Sequence, residues 1–223
     1  MRTASNPNIK APVIPAAEAD GLIKLSDLTH DLDMHFSMWE GLEPYDAYQL
    51  AFNGLAIGPL TRFTDPVPGA LISLTIPLAL LQSEGNHRIA YRVTSYPGGD
   101  VFDSPATIIR IDRTAPGAAL LAPLIFPHTQ DTLTAHIPGY AGMAAGDTLQ
   151  SFCNGVPGPV HIISDDDLST RLMQIDFSRK FLQGLSSAEI EFTYHVTDRA
   201  GNQSRLAQPV RLTAKFENLP TPT

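Results

Sequence analysis

The sequence is nearly without cysteine and tryptophan. It has one cysteine, Cys153, and one tryptophan, Trp39. A lone thiol makes no disulfide within its own chain, so packing must supply the stability and the redox compartment stays open. Bases are outnumbered 23 to 15, a formal charge of −8. That leaves no basic face for a phosphate backbone or an anionic lipid surface, and nucleic acid is not an expected partner. No stretch approaches the ~20 consecutive apolar residues that span a bilayer. The greasiest segment, GALISLTIPLALL (69–81), is interrupted by Pro77 and reads as a buried strand, so membrane insertion is not expected. The first twenty residues, MRTASNPNIKAPVIPAAEAD, lack the apolar core of a Sec signal.

Catalytic motifs are missing as well. There is no G-x-S-x-G turn, no phosphate-cradling glycine loop and no H-E-x-x-H helix, and the seven histidines are scattered. An enzyme is not expected, no catalytic residue is assigned, and no cofactor is called for.

What the chain does have is apolar material and breakers. Hydrophobic residues make up 43% and charged residues 17%, which suits a folded chain, and 19 prolines with 16 glycines suit short strands joined by turns. The chain is also written twice. MWEGLEPYDAYQLAFNG (38–54) lies over GYAGMAAGDTLQSFCNG (139–155) at an offset of 101, which aligns Trp39 with Tyr140, Gly41 with Gly142, Asp46 with Asp147 and Asn53-Gly54 with Asn154-Gly155. IAYRVTSYPGG (89–99) lies over FTYHVTDRAGN (192–202) at 103, aligning Tyr91 with Tyr194 and Thr94 with Thr197. Ala11-Pro12 and Ala115-Pro116 stand 104 apart, as do Pro105 and Pro209.

The expected organisation is a flexible segment 1–10, one domain over 11–113, a second over 114–216, and a Pro-rich tail or linker at 217–223, as though cut from a longer array. Within each unit the apolar period is two. Tyr48, Leu50 and Phe52, then Ile72, Leu74 and Ile76, then Ile89, Tyr91 and Val93 fall on inward faces; Leu149 and Cys153, Met173, Ile175 and Phe177, and Phe192, Tyr194 and Val196 are their counterparts. Segments 77–85 and 178–187 each have room for one helical turn. Six or seven short strands in about 100 residues predict an all-β chain of two tandem immunoglobulin-like β-sandwiches. In FTYHVTDRAGNQS (192–204) the strand should turn on Gly201 and Asn202 with positive φ, and YPGGD (96–100) should do the same with Gly98 and Gly99.

VTDRAGN before a last strand, IDRTAP at the junction, and the aromatic-x-Gly, Gly-Asp and Asn-Gly elements of 139–155 together resemble tandem bacterial Ig-like repeats of large surface, secreted and adhesin-type proteins. The resemblance covers the chain past residue 10. Unit one departs from it, with Tyr45 where unit two has Gly146 and SYPGG where unit two has DRAGN. It implies a spacer or an adhesive, protein-binding module, a monomeric segment at the cell surface or secreted, with a protein or glycan surface as partner. A soluble intracellular protein is the alternative location.

Three groups of residues are candidate sites. Trp39, Tyr45 and Tyr48 offer flat faces for sugar stacking, which makes a lectin-like carbohydrate-binding module the alternative function, although Trp39 has the repeat partner Tyr140 and so reads first as packing. Asp27, His30, Asp31, Asp33 and His35 crowd together as metal ligands would, yet no zinc or EF-hand spacing is present, so a solvated strand face is the expected reading. Asp165, Asp166 and Asp167 could hold Ca2+, and the resemblance implies Ca2+ near the linker, where Asp112 lies; three acids in a turn are more simply solvated. Cys153 aligns with Phe52 and is expected in the core, and His195 and Arg92 share an outward position.

Overall fold

The computed structural model describes residues 9–127, 133–170 and 173–213. Most of the expected flexible segment 1–10 and all of the tail 217–223 lie outside them. The chain forms two compact units, residues 1–113 and 114–223.

Unit one contains β1 (Leu22–Ile23), β2 (Leu32–Ser37), β3 (Ala47–Phe52), β4 (Leu55–Arg62), β5 (Leu71–Ile76), β6 (Gly85–Thr94), β7 (Val101–Asp103) and β8 (Thr107–Ile111). One sheet has the order β1-β8-β6-β3-β4, with β7 also on β6, and the facing sheet is the antiparallel pair β2-β5. Unit two contains β9 (Leu133–Ile137), β10 (Thr148–Cys153), β11 (Val156–Ile162), α1 (Asp165–Thr170), β12 (Met173–Phe177), α2 (Arg179–Gly184), β13 (Glu189–Thr197) and β14 (Val210–Thr213). Its larger sheet runs β11-β10-β13-β14 and its smaller one pairs β12 with β9. Both units are Ig-like β-sandwiches in which the shared strands keep one order, β4-β3-β6-β8 matching β11-β10-β13-β14, while unit one adds β1 and β7.

Alternation along the strands explains the layers. Leu32, Met34 and Phe36 of β2 and Ile76 of β5 meet Leu50, Phe52, Ile89, Tyr91, Val93, Ile109 and Ile111 of the larger sheet in one core. In unit two Ala135, Ile137, Met173, Ile175 and Phe177 meet Leu149, Cys153, Phe192, Tyr194 and Val196. Phe36 stacks on Tyr91 with ring centroids 3.8 Å apart, while Phe177 meets Phe192 edge-on at 5.0 Å. The 69–81 segment is less buried than its composition predicts. It supplies β5, an edge strand of a two-stranded sheet, so only its inward residues are covered and Leu71 is exposed. The short crossings are helical: a 3-10 turn at Leu78–Leu81 and α2, whose Ser178 caps Phe181 N.

The repeated signals are repeated devices. Asn53-Gly54 and Asn154-Gly155 both turn with positive φ, 51° and 81° in the first and 51° and 77° in the second. Each asparagine Oδ1 also accepts from the strand paired with its own on the other side, from Arg88 N of β6 and Glu191 N of β13, both at 2.8 Å. The hydroxyls of Tyr91 and Tyr194 donate to Lys10 O and Ala122 O, so each penultimate strand holds the entering segment of its own unit. The turn after that strand differs from the sequence reading. Gly201 and Gly99 have positive φ, but Asn202 and Gly98 do not. Asn202 is instead buried, with N and Nδ2 donating to Asp198 Oδ1 and Oδ2 at 2.8 Å each. The return strand is also interrupted: Ser104 and Ser204 each cap the penultimate strand through Oγ, to Tyr91 N and Val196 N, before β8 and β14 begin.

Candidate functional site

The three aromatic candidates fall in different environments. Trp39 belongs to the core, edge-on to Phe63 and stacked on Tyr91 at 6.0 Å, and is only 8% exposed. Tyr48 packs on the same core against Phe36 and Phe63, and burial raises its hydroxyl pKa. Tyr45 alone of the three is exposed, at 57%. The structure therefore does not bring these rings together as one platform, because inward alternation takes two of them.

Tyr45 has a different companion, which the sequence reading does not single out. Its ring lies 5.6 Å from that of Tyr96, tilted by 55°, and Tyr96 is 51% exposed. Asp46 builds this corner: its buried carboxylate accepts from Tyr96 N at 2.7 Å through Oδ1 and from Glu43 N at 3.1 Å through Oδ2. Tyr45 N donates to Phe63 O, and Phe63 N to Asp46 O, so segments 38–46, 63–70 and 95–100 converge at one end of the unit. Tyr45 takes φ +75°, where its counterpart Gly146 takes +92°. A side chain in the left-handed region is strained, and glycine is the residue that fits there. The repeat alignment that sets Tyr45 over Gly146 also sets Tyr96 over Arg199, and that second difference is the signal that could have found the pair.

In unit two the corner keeps its frame and changes its surface. Asp147 Oδ2 accepts from Ala144 N at 3.1 Å and from the Tyr140 hydroxyl at 2.8 Å, and burial followed by this bond raises the Tyr140 pKa. The Arg199 side chain lies over Gly146, so close that a Cβ there would be 2.7 Å from its Cδ.

The polar candidates are engaged locally. Asp33 and His35 project from the solvent face of β2, where His35 Nδ1 is 3.0 Å from Ser73 Oγ; Asp31 accepts from Leu78 N at 2.8 Å, and His30 lies 3.1 Å from Thr29 Oγ1. Asp27, His30 and Asp33 border an open cleft of about 450 Å³ that also includes Lys24 and Glu18. Among the described residues no three His, Cys, Asp or Glu side chains are grouped as metal ligands would be. The SDDDLS segment forms not a plain turn but α1, with all three acids in its first turn. Ser164 N donates to Asp167 Oδ2 at 2.8 Å and Asp167 N donates to Ser164 Oγ at 3.2 Å, a reciprocal cap. That backbone bond lowers the Asp167 pKa, aided by the Ser164 hydroxyl and His161. Asp112 accepts from Arg110 Nη1 at 3.3 Å.

Cys153 is fully buried, and burial pushes its thiol up to about 12, so it is a protonated core residue. The Arg92 guanidinium grips Asp103 at 2.6 and 2.8 Å, whereas His195 Nε2 meets Gln203 at 2.9 Å and burial lowers its pKa.

A second device absent from the sequence reading lies on the sheet edge. β4 and β11 each bulge at a Gly-Pro pair, Gly58-Pro59 and Gly158-Pro159, and the matched glutamines Gln49 and Gln150 reach the glycine carbonyls at 3.4 and 2.9 Å. The signal is legible as the shared Gly-Pro in LAIGPLTR and VPGPVHI. Proline and a bulge withhold donors from an open edge and discourage pairing with another strand.

No family model matches the chain, and no curated protein matches it. Solved structures do. A Ca2+-stabilized adhesin that helps an Antarctic bacterium reach out and bind ice aligns with 93% of this chain at 14% identity and a TM-score of 0.50. A 1.5-MDa bacterial ice-binding adhesin aligns with 93% at 14% identity and 0.47, and the fibronectin(III)-like modules of Clostridium thermocellum CbhA with 92% at 10% and 0.40. The chain spans 49% of the first of these structures, 65% of the second and 94% of the third. At 14% identity the likeness to the first of these is one of fold alone.

Proposed function

We propose that the chain is a non-enzymatic pair of tandem Ig-like repeats from a bacterial surface or secreted adhesin-type protein, serving as a spacer that presents loop ends to a protein partner. The observation that carries the reading is the repetition itself: two units with one order of shared strands, one Asn-Gly hairpin, one Tyr-to-entry-segment bond and one Gly-Pro edge bulge. Selection for chemistry concentrates unusual groups in one place. Here the repeated residues are turn, cap and edge residues, which are what an array of sandwiches needs to stay folded and unpaired.

The Antarctic neighbour is a Ca2+-stabilized adhesin that helps its bacterium reach out and bind ice, which supports the adhesin-type reading without naming a ligand for this chain. Of the α1 acids Asp167 serves the cap, Asp112 accepts from Arg110, and among the described residues no three acids are grouped as ligands, so calcium does not enter the proposal. Glycan stacking does not enter it either, since Trp39 and Tyr48 pack into the core.

Small-angle scattering on the intact chain tests the spacer role. A stiff RTAPG linker predicts one narrow set of particle dimensions, unchanged between low and physiological salt. A broad or salt-dependent range of dimensions contradicts it.

A further inference from the structure

We propose that the end of unit one formed by segments 38–46, 63–70 and 95–100 is a docking surface for a cationic protein segment, whose Lys or Arg side chains seat on Tyr45 and Tyr96. The inference deepens the repeat-module reading by naming which end of which unit makes contact, and it rests on that reading for the kind of protein involved.

Charge selects the partner. The three segments carry the exposed carboxylates Glu40, Glu43, Asp65 and Asp100, and they contain no lysine, arginine or histidine. At the rim stand two bases: Arg62, exposed and paired across from Ala47, and Arg92, which is committed to Asp103, so the four exposed acids outnumber them. Between these acids stand two tyrosines more than half exposed and 5.6 Å apart, with Val67 exposed beside them in the sequence of the second segment. Aromatic faces rimmed by carboxylates attract guanidinium and ammonium groups through the ring quadrupole as well as through charge. Tyrosine also supplies contact area with little conformational entropy to lose.

The corner is fixed before any partner arrives. Asp46 ties Tyr96 N and Glu43 N to one carboxylate, and Tyr45 N is bonded to Phe63 O, so the two rings are carried on backbone that is already ordered. The other unit shows that the rings are not needed for the fold. There the same aspartate corner is closed by Gly146 under Arg199, a small residue and a base in place of two tyrosines, and a cationic segment would meet a like charge. Unit one holds Tyr45 in a backbone region that glycine fills more readily, so its ring is a cost to folding that a surface role offsets.

The test uses the intact chain and fluorescent peptides in which Lys and Arg alternate with Gly, matched peptides with Glu in their place, and a panel of neutral oligosaccharides. The basic peptide is expected to bind the wild type, and Tyr45→Gly and Tyr96→Ala each to weaken it about tenfold, the loss of one good contact. Tyr45→Gly installs the residue unit two uses, so its melting temperature should stay level or rise, which separates lost binding from lost folding. Glu40→Gln with Asp65→Asn should weaken binding most at low salt. Basic peptides that bind the Tyr45→Gly, Tyr96→Ala double variant as well as the wild type would report only the net charge of −8 and overturn the proposal. So would equal binding of the Glu peptides, or tyrosine-dependent binding of an oligosaccharide without the basic peptide. Scattering on the same samples reads the spacer role separately, so the two readings fail independently.

Discussion

The two units solve one folding problem and then diverge at the same corner. Asp46 and Asp147 are both buried and both accept from the backbone N–H three residues earlier, but the first supports two exposed tyrosines and the second an arginine laid over a glycine. A second divergence is internal. His87, stacked on Phe52 and bonded through Nε2 to Ser83 O, fills the position that Ile190 fills in unit two. Frame residues thus keep their identity between repeats, whereas a core position can change its chemistry only where new partners come with it.

Exchanging those positions breaks the comparison hardest. Ile190→His puts an imidazole where Ile190 is now fully buried among apolar neighbours, and it should cost unit two about 2–4 kcal/mol, read as an earlier unfolding transition. Should it prove neutral, the partner argument for His87 is wrong. Asp147→Ala strands the Tyr140 hydroxyl and should cost about 2–3 kcal/mol by denaturant titration, more than Asp46→Ala, which releases backbone N–H groups near the surface. The corner exchange comes next in size. Gly146→Tyr should destabilise unit two by about 1–3 kcal/mol, through positive φ and the crowding of Arg199, while Tyr45→Gly should leave unit one level or slightly more stable.

The smallest effect is one of acidity, and it falls on unit two. Burial holds the His195 pKa below its ordinary 6.5, so the unfolded chain binds that proton more readily; the contribution is present above about pH 6.5 and fades below it. Asp167, lowered from 3.8 by the Ser164 N–H first, likewise contributes above its ordinary value and loses that contribution as pH falls further. Hydrogen exchange on the intact chain, followed from neutral pH toward pH 3, should show unit two loosening ahead of unit one. The reverse order would contradict the assignment of those partners.

Much of this frame is legible in the sequence, because turns and period-two faces are local signals. Asn53-Gly54 over Asn154-Gly155 announces the hairpin, and Tyr91 over Tyr194 the inward strand. Elsewhere a long-range or reciprocal bond decides the outcome. Asn202 reads as a turn residue and is instead held by the Asp198 side chain. SDDDLS reads as a solvated turn, yet Ser164 and Asp167 cap each other and start a helix. Tyr96, the companion of Tyr45, is remote from it in sequence and comes to it only through the Asp46 corner. Trp39 and Tyr48 join the core only once the sheets face each other.

Two sandwiches that fold separately and are strung together as repeats should unfold one at a time when the intact chain is stretched by its ends in a single-molecule force experiment. Two separate unfolding events are expected, each releasing about 300 Å of chain from its roughly 100 residues. Destabilisation by Ile190→His should lower the force of only one of them. A single event that releases the whole length at once would contradict separate folding.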